Sequence, residues 1–358
     1  MELVKSDRVN STNIGSVRPG RYVNFVNSGT MLRVARDNGF GIPYINPRIF
    51  PIREGDSFVG PSAIRAVFRA MKTFDAPIGI EIAPSEMAWA KINHYDFIKH
   101  ITEVAASMDM RHWPIVVHYD HGADIPDLTR ALKGGFTSAA FDGGHCKDWE
   151  DLVIQTNRWR ETCYKFGVSL EAEMETIGGA IATDAQKAQT FVALTDPTML
   201  AIAFPHNEHS ATKGASEIDV ELLRSIRAAV PETTFLTLHG GSGFDYPQLS
   251  LAVAGGISKI NYATQVMRVM LDGTKYAEYL EHLQNLETHN RNKAGYLDAV
   301  DKLSVLFLED SWTRMPESER IAMEDRAFAE VKRVLFACNT VGKIALYSDI
   351  MERGFTGL

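Results

Sequence analysis

Three apolar runs in this sequence end in histidine. Ile115-Val116-Val117 leads into His118, Asp120 and His121. Phe235 to Leu238 leads into His239-Gly240-Gly241-Ser242-Gly243. Met199 to Phe204 leads into Pro205 to Gly214, which carries His206 and His209. A neutral imidazole is a favoured zinc ligand, and a neighbouring carboxylate can serve as general acid or base. Three strand ends that each supply a histidine can converge on one metal ion, with Asp120 and His121 packed together at one of them. His118 shares a strand face with Asp120, which suits a place in the core or in support of a ligand rather than ligation itself.

Other residues have the types an anion site needs. Glycines directly after a strand, as in His239 to Gly243, let backbone N–H groups come close to an anion, and the Ser242 hydroxyl adds a donor. The run Ser258 to Thr264 (SKINYAT) spans another strand and its exit. In α/β barrels the loops after the seventh and eighth strands commonly hold a phosphate. Asn261 and Thr264 would then complete a site begun by Gly241 and Ser242, and Lys213-Gly214, just after His209, would bring a positive charge. Glu171, Glu173 and Glu175 recur at period two and face one side. They repel one another unless a cation or a basic partner sits among them. Glu173 with Asp142 suggests a second cation, divalent or monovalent, while a salt-bridged layer accounts equally for the spacing.

The elements that must position these groups alternate along the chain. Short strands are expected at Gly41–Asn46, Pro77–Ala83, Pro114–Asp120, Ser138–Asp142, Val168–Glu175, Met199–Phe204, Phe235–Leu238 and Ile257–Ala263. Helical spacing lies between them at Pro61–Thr73, His94–Met108, Ile125–Lys133, Asp148–Phe166, Val220–Val230 and Tyr246–Ala254, with another helix from Val266 onward. Gly29–Ala35 reads as an opening helix closed by Asn38-Gly39, residues that tolerate a left-handed cap. Eight strands alternating with helices predict an α/β fold, a (β/α)8 TIM barrel, with polar groups at the carboxyl ends of the strands. A doubly wound sheet would instead carry a Gly-rich turn after the first strand, and Asn46-Pro47-Arg48 is not one. The expected organisation is an N-terminal arm over residues 1–28, the barrel over 29–275, and a helical insertion with a final helix over 276–358. That final amphipathic helix is read at Glu330–Ala345.

Bulk properties narrow the function. The 358 residues carry a formal net charge of -8, and no basic block is present, which argues against a nucleic-acid surface. No apolar stretch is long enough for a bilayer, so no membrane partner is expected. The first residues lack the apolar core of a signal peptide. The 3 cysteines are odd in number and widely spaced, which fits thiols in a reducing cytoplasm.

The motifs together resemble the class II, metal-dependent fructose-bisphosphate and tagatose-bisphosphate aldolase family. They are VVHYDHG at 116–122, GFTSAAFDGGH at 135–145, SLEAEMETIGG at 169–179, HSATKG at 209–214, LHGGSG at 238–243 and KINYAT at 259–264, in the family's order. The resemblance implies a zinc site of His121, His209 and His239, with Asp120 handling the proton of a substrate C4 hydroxyl. It implies that Gly214, Gly241, Ser242, Asn261 and Thr264 cradle a phosphate beside Lys213. The implied activity is reversible cleavage of a sugar phosphate such as fructose 1,6-bisphosphate into dihydroxyacetone phosphate, or a related ketone, and an aldehyde, through a zinc-stabilised enediolate. A cytoplasmic homo-oligomer, dimer or tetramer, in carbohydrate metabolism such as glycolysis is the corresponding expectation.

Some positions depart from the family pattern. An acidic residue usually follows the Gly178-Gly179 pair, whereas here Ala180-Ile181-Ala182-Thr183 follows and the next acid is Asp184. HSATKG lacks the usual glycine and tyrosine, its lead-in adds His206, and Gly144 replaces a serine or alanine. These changes favour two alternatives: the same retro-aldol chemistry on a sulfonated, deoxy or longer-chain sugar phosphate, or a non-catalytic sugar-phosphate-binding relative.

Overall fold

The computed structural model describes residues 23–47, 53–54, 57–58, 62–89, 92–174, 182–204, 217–274 and 315–356. Eight parallel strands close into a barrel: β1 (Ile42–Ile45), β2 (Gly79–Ile82), β3 (Val116–Gly122), β4 (Ser138–Phe141), β5 (Ser169–Glu173), β6 (Met199–Ile202), β7 (Phe235–Leu238) and β8 (Ile257–Tyr262). Each strand pairs with the next, and β8 returns to β1 through Lys259 opposite Ile42 and Asn261 opposite Tyr44. This is the (β/α)8 barrel that the alternation predicts. β3 runs on to Gly122, past the Asp120 at which its expected span stops.

Helices wrap the strands: α1 (Ser28–Asp37), α2 (Ser62–Phe74), α3 (Pro84–Trp89), α4 (His94–Ser107), α5 (Ile125–Gly134), α6 (Trp149–Phe166), α7 (Ala185–Thr195), α8 (Val220–Ala229), α9 (Tyr246–Ala254), α10 (Thr264–Leu271), α11 (Glu317–Ala337) and α12 (Ser348–Thr356). Many of them open on an Asn or Asp whose side chain accepts a first-turn N–H, including Asn93, Asp124, Asp148, Asp219 and Asp245. Such caps satisfy amide groups that have no partner inside the helix, and each contributes about 1 kcal/mol. They fix where each strand-to-helix loop ends, and so where its functional residues sit.

The two faces of the strands differ sharply in chemistry. Ile80, Val117, Leu170, Leu200, Leu236 and Ile260 point outward into one apolar core shared with the helices. Their alternates Glu81, His118, Glu171, Thr237 and Lys259 point into the barrel, where all are buried. Contacts between non-neighbouring strands, such as Lys259 on β8 with Glu171 on β5, can run only through that interior.

Some expectations change. Residues up to about Asn27 have no period and read as an arm, yet Phe25 and Val26 are buried, and Phe25 bridges Ile115 at the start of β3. Asn27 caps α1, so the end of the arm belongs to the barrel. The last helix is α12, and the helix read at Glu330–Ala345 begins at Glu317 and stops at Ala337. Its charged first turns hide the buried series Met323, Ala327, Glu330, Val331 and Val334, and Pro316 sits at the break where a helix starts well. α3 and α7 were not legible as helices. Residues 1–22 and 275–314, read as arm and insertion, lie outside the described residues. Among the described residues no helix is long and apolar enough to cross a membrane.

Candidate active site

β3 delivers two adjacent side chains to the same mouth of the barrel. Consecutive strand residues normally face opposite sides. Here the pairing of β3 with β4 passes from Tyr119 opposite Ala139 to Gly122 opposite Phe141, one residue longer on the β3 side. That bulge spans Asp120 and His121, and His121 takes a left-handed backbone with φ of 48°. Bulges re-aim side chains, and a non-glycine residue held at positive φ is the kind of strain that collects at functional sites. As a result Asp120 Oδ2 lies 3.6 Å from His121 Nε2.

His239 follows β7 and packs its ring edge-on to that of His121, with centroids 5.1 Å apart. Its Nε2 lies 2.7 Å from Glu171 Oε1. A carboxylate there accepts a hydrogen bond from an Nε2–H and would leave the Nδ1 lone pair for a cation. Glu173, one step further along β5, joins the two histidines: ligand atoms of His121, Glu173 and His239 all lie within 4.8 Å of one another. Two imidazoles and a carboxylate are a donor set that zinc accepts, and a carboxylate bound to the far nitrogen of a ligating histidine is the usual support. The residues therefore fit a divalent cation.

Beneath this mouth lies a buried polar layer. Lys259 Nζ lies 2.9 Å from Glu171 Oε2, 3.6 Å from Glu81 Oε2, 3.4 Å from His118 Nε2 and 2.5 Å from Asn261 Oδ1. It also sits 4.8 Å above the centre of the Tyr44 ring. Asn261 turns its Nδ2 toward Asp120, 3.3 Å from Oδ1 and 3.4 Å from Oδ2. Thr237 donates to Glu171 Oε2 at 3.0 Å. His118 Nδ1 meets Ser138 Oγ at 2.7 Å.

Electrostatics follow from this packing. Burial opposes the charge on Asp120, but His121, His118, His239 and Lys259 outweigh it and hold the carboxyl well below the usual range. Burial likewise disfavours charge on Glu171, and Lys259 and His239 reverse that. Glu81 goes the other way: burial first, then the nearby Asp120 carboxylate, push it well above the ordinary carboxyl value. Burial pulls Lys259 toward neutrality, and the Glu171 and Glu81 carboxyls more than restore its charge. Burial and Lys259 push His118 below the ordinary imidazole value.

The loops after β7 and β8 are tied together. Ser242 Oγ accepts the backbone N–H groups of Ala263 and Gln265 at 3.1 and 3.2 Å. Gly241 has no room for a side chain, since a Cβ would come within 2.6 Å of the Asn261 carbonyl and 2.7 Å of Ile260 Cγ2. Thr264 is the first residue of α10, whose preceding residue offers no side-chain cap.

The structure thus brings together Asp120, His121, His239, Glu173 and Asn261, with Gly241, Ser242 and Thr264 on the adjoining loops. Asp142 caps its own turn: its carboxylate accepts the Gly144 N–H and faces His145 at 3.6 Å. Among the described residues, the donor group that includes Glu173 is completed by the two histidines and not by Asp142. His206, His209, Lys213, Gly214 and Glu175 lie outside the described residues, as do Gly178 to Ile181. Asp184, the next acid after that loop, caps α7 through the Lys187 N–H at 2.8 Å. The sequence reading missed Lys259, Glu81 and the support that Glu171 gives to His239. Period-two alternation in GIEIA and SKINY was the available signal, because it puts Glu81 and Lys259 on the inner face.

Comparison with known proteins accords with this geometry. The YdjI aldolase of Escherichia coli K12 matches with a TM-score of 0.61 at 20% identity, over 89% of this chain and 98% of that one. A fructose-bisphosphate aldolase of Campylobacter jejuni matches with a TM-score of 0.63 at 18% identity, over 89% and 97%. At such identities the likeness is one of fold. The model of the class II fructose-bisphosphate aldolase family matches residues 26–307, most of the chain. The chain belongs to the class II fructose-bisphosphate aldolase family, a metal-dependent family, and is an aldolase, a carbon–carbon lyase.

Proposed function

We propose that this aldolase cleaves, reversibly, a ketose phosphate or bisphosphate such as fructose 1,6-bisphosphate into dihydroxyacetone phosphate, or a related ketone, and an aldehyde. The observation that carries the reading is the convergence of His121, Glu173 and His239 beside the buried carboxylate of Asp120. His121 and His239, with His209 by resemblance, would hold zinc, and Glu173 lies close enough to share in or replace that set. Zinc bound there supplies a Lewis acid for the substrate ketone.

The chain's own residues do the rest. Asp120, held as a carboxylate, takes the proton from the C4 hydroxyl. The C3–C4 bond then breaks, C4 becomes the aldehyde carbon, and the bonding pair stays with the ketone half until a proton reaches C3. Asn261 donates to both Asp120 oxygens and so fixes the direction of that carboxylate. The paired loops that carry Gly241, Ser242 and Thr264 support a phosphate site, to which the family resemblance adds Lys213 and Gly214. A second cation at Asp142 and Glu173 is not part of this reading, because Asp142 is engaged in its own turn.

Retro-aldol products measured over a panel of ketose phosphates, with and without chelator, test the proposal. Cleavage that disappears on chelation and returns with zinc is expected, and activity that survives complete metal removal contradicts it. A second reading keeps the chemistry and changes the sugar to a sulfonated, deoxy or longer-chain phosphate. It is favoured because Asp184, the acid nearest after the altered loop, is committed to capping α7. Turnover of fructose 1,6-bisphosphate near the median enzyme value of about 10 per second removes its basis.

A further inference from the structure

The buried layer under the site holds a second group of side chains of metal-ligating type. Besides the group at the mouth, Glu81, His118 and Asp120 place ligand atoms within 4.8 Å of one another, and all three are buried. Among the described residues, Glu81 Oε2 has no hydrogen-bond partner. Such a pocket would attract a second cation. One is already there, covalently attached: the Lys259 ammonium lies 3.4 Å from His118 Nε2 and 3.6 Å from Glu81 Oε2.

We propose that the Lys259 ammonium is the resident cation of the barrel interior, filling the place of a second metal ion among Glu81, His118 and Asp120 and acting as a positioning residue for His239 and Asp120. Its chemistry makes it suited to this. An ammonium only donates, so every partner must present an acceptor to it. Asn261 therefore turns Oδ1 inward to Lys259 and Nδ2 toward Asp120. His118 Nε2 lies between the ammonium and the catalytic carboxylate, 3.4 Å from Lys259 Nζ and 3.6 Å from Asp120 Oδ1, while its Nδ1 meets Ser138 Oγ. Glu171 receives Lys259 on Oε2, which leaves Oε1 to His239 Nε2 and the His239 Nδ1 lone pair to the mouth. One fixed charge thus sets an amide orientation and the direction of a ligand histidine, without touching substrate.

The effect on turnover rests on the aldolase reading above, whereas the effect on metal stoichiometry does not, so the two can fail separately. The unchanged chain, Lys259→Met and the double variant Lys259→Met/Glu81→Gln are stripped by chelation, checked for fold by circular dichroism, and titrated with Co2+ alone. Bound metal and the visible cobalt spectrum are the readouts. Lys259→Met should bind one equivalent more than the unchanged chain, and the double variant should lose that equivalent. With zinc restored, kcat of Lys259→Met should fall about tenfold or more, while KM stays within about threefold. Equal metal numbers in folded Lys259→Met and the unchanged chain overturn the resident-cation role, and an unchanged kcat overturns the positioning role. Should Lys259→Met fail to fold, nitrogen-detected side-chain spectra of the unchanged protein decide. One lysine Nζ, protonated and protected from exchange with water, is expected; a neutral amine or only rapidly exchanging ammonium groups overturn the proposal.

Discussion

The same eight strands carry two unlike surfaces. Outward, Val117, Leu170, Leu200, Leu236 and Ile260 join a continuous apolar core with the helices. Inward, Glu81, His118, Asp120, Glu171, Glu173, Thr237, Lys259 and Asn261 form a buried polar column. The outer face lowers the free energy of folding through transfer of apolar area from water, roughly 25 cal/mol per Å2. The inner face gains little from burial, since charges removed from water are costly unless paired and hydrogen-bonded. The outer face holds the strands in place, and the inner face uses that rigidity to keep costly groups in one arrangement.

This division makes separable predictions. On the inner face, the isosteric change Asp120→Asn should lower kcat by about 100-fold to 10,000-fold, the range typical for loss of a proton-transfer group. Its melting temperature should change little, and steady-state kinetics with thermal melts measure both. On the outer face, Leu200→Ala should show the reverse, losing about 2–5 kcal/mol of stability to the cavity it leaves. Metal affinity and kcat should stay within about threefold, as read by denaturant titration and activity. Equal loss of both properties in both variants would erase the distinction.

A polar exception within the outer layer gives a pH test. His100 on α4 is buried, and burial first, then Arg65, push its imidazole down to about 4. The unfolded chain takes up a proton near pH 6.5 that the native state refuses until about pH 4. Below pH 6.5 the unfolded state therefore binds more protons, and stability falls as pH drops through that window, by roughly 3 kcal/mol in all. His100→Gln should flatten the dependence between pH 7 and pH 5. The smallest effect expected is at Glu171. In folded, metal-free Glu171→Gln, zinc affinity should fall about 10-fold to 100-fold, because His239 loses the carboxylate that orients it. Competition with a chromogenic chelator measures it.

What the sequence disclosed follows the same division. The outer face announces itself as apolar runs, so all eight strands and most helices could be read from local pattern. α7 escaped because AQKAQTFVALT shows a weak stripe behind a polar first turn, and α3 because it is a single short turn and a half. The candidate metal-site histidines His121 and His239 were visible because each ends an apolar run. The bulge that lets Asp120 and His121 share one mouth was not, since a one-residue slip in pairing leaves no mark in composition. Nor was the partnership of Glu81, Glu171 and Lys259, which are far apart in the chain and meet only when β8 closes on β1. Asp142 was left open for a related reason: an acid after a strand suits a cation site and a turn cap equally well, and the structure shows it capping its turn.

The most direct test of the central claim is a crystal of the chelated protein soaked in zinc, with diffraction recorded on both sides of the zinc absorption edge. The account predicts one strong anomalous peak within coordinating distance of His121 and His239, beside Asp120. A peak only on the surface, or between other residues, contradicts it.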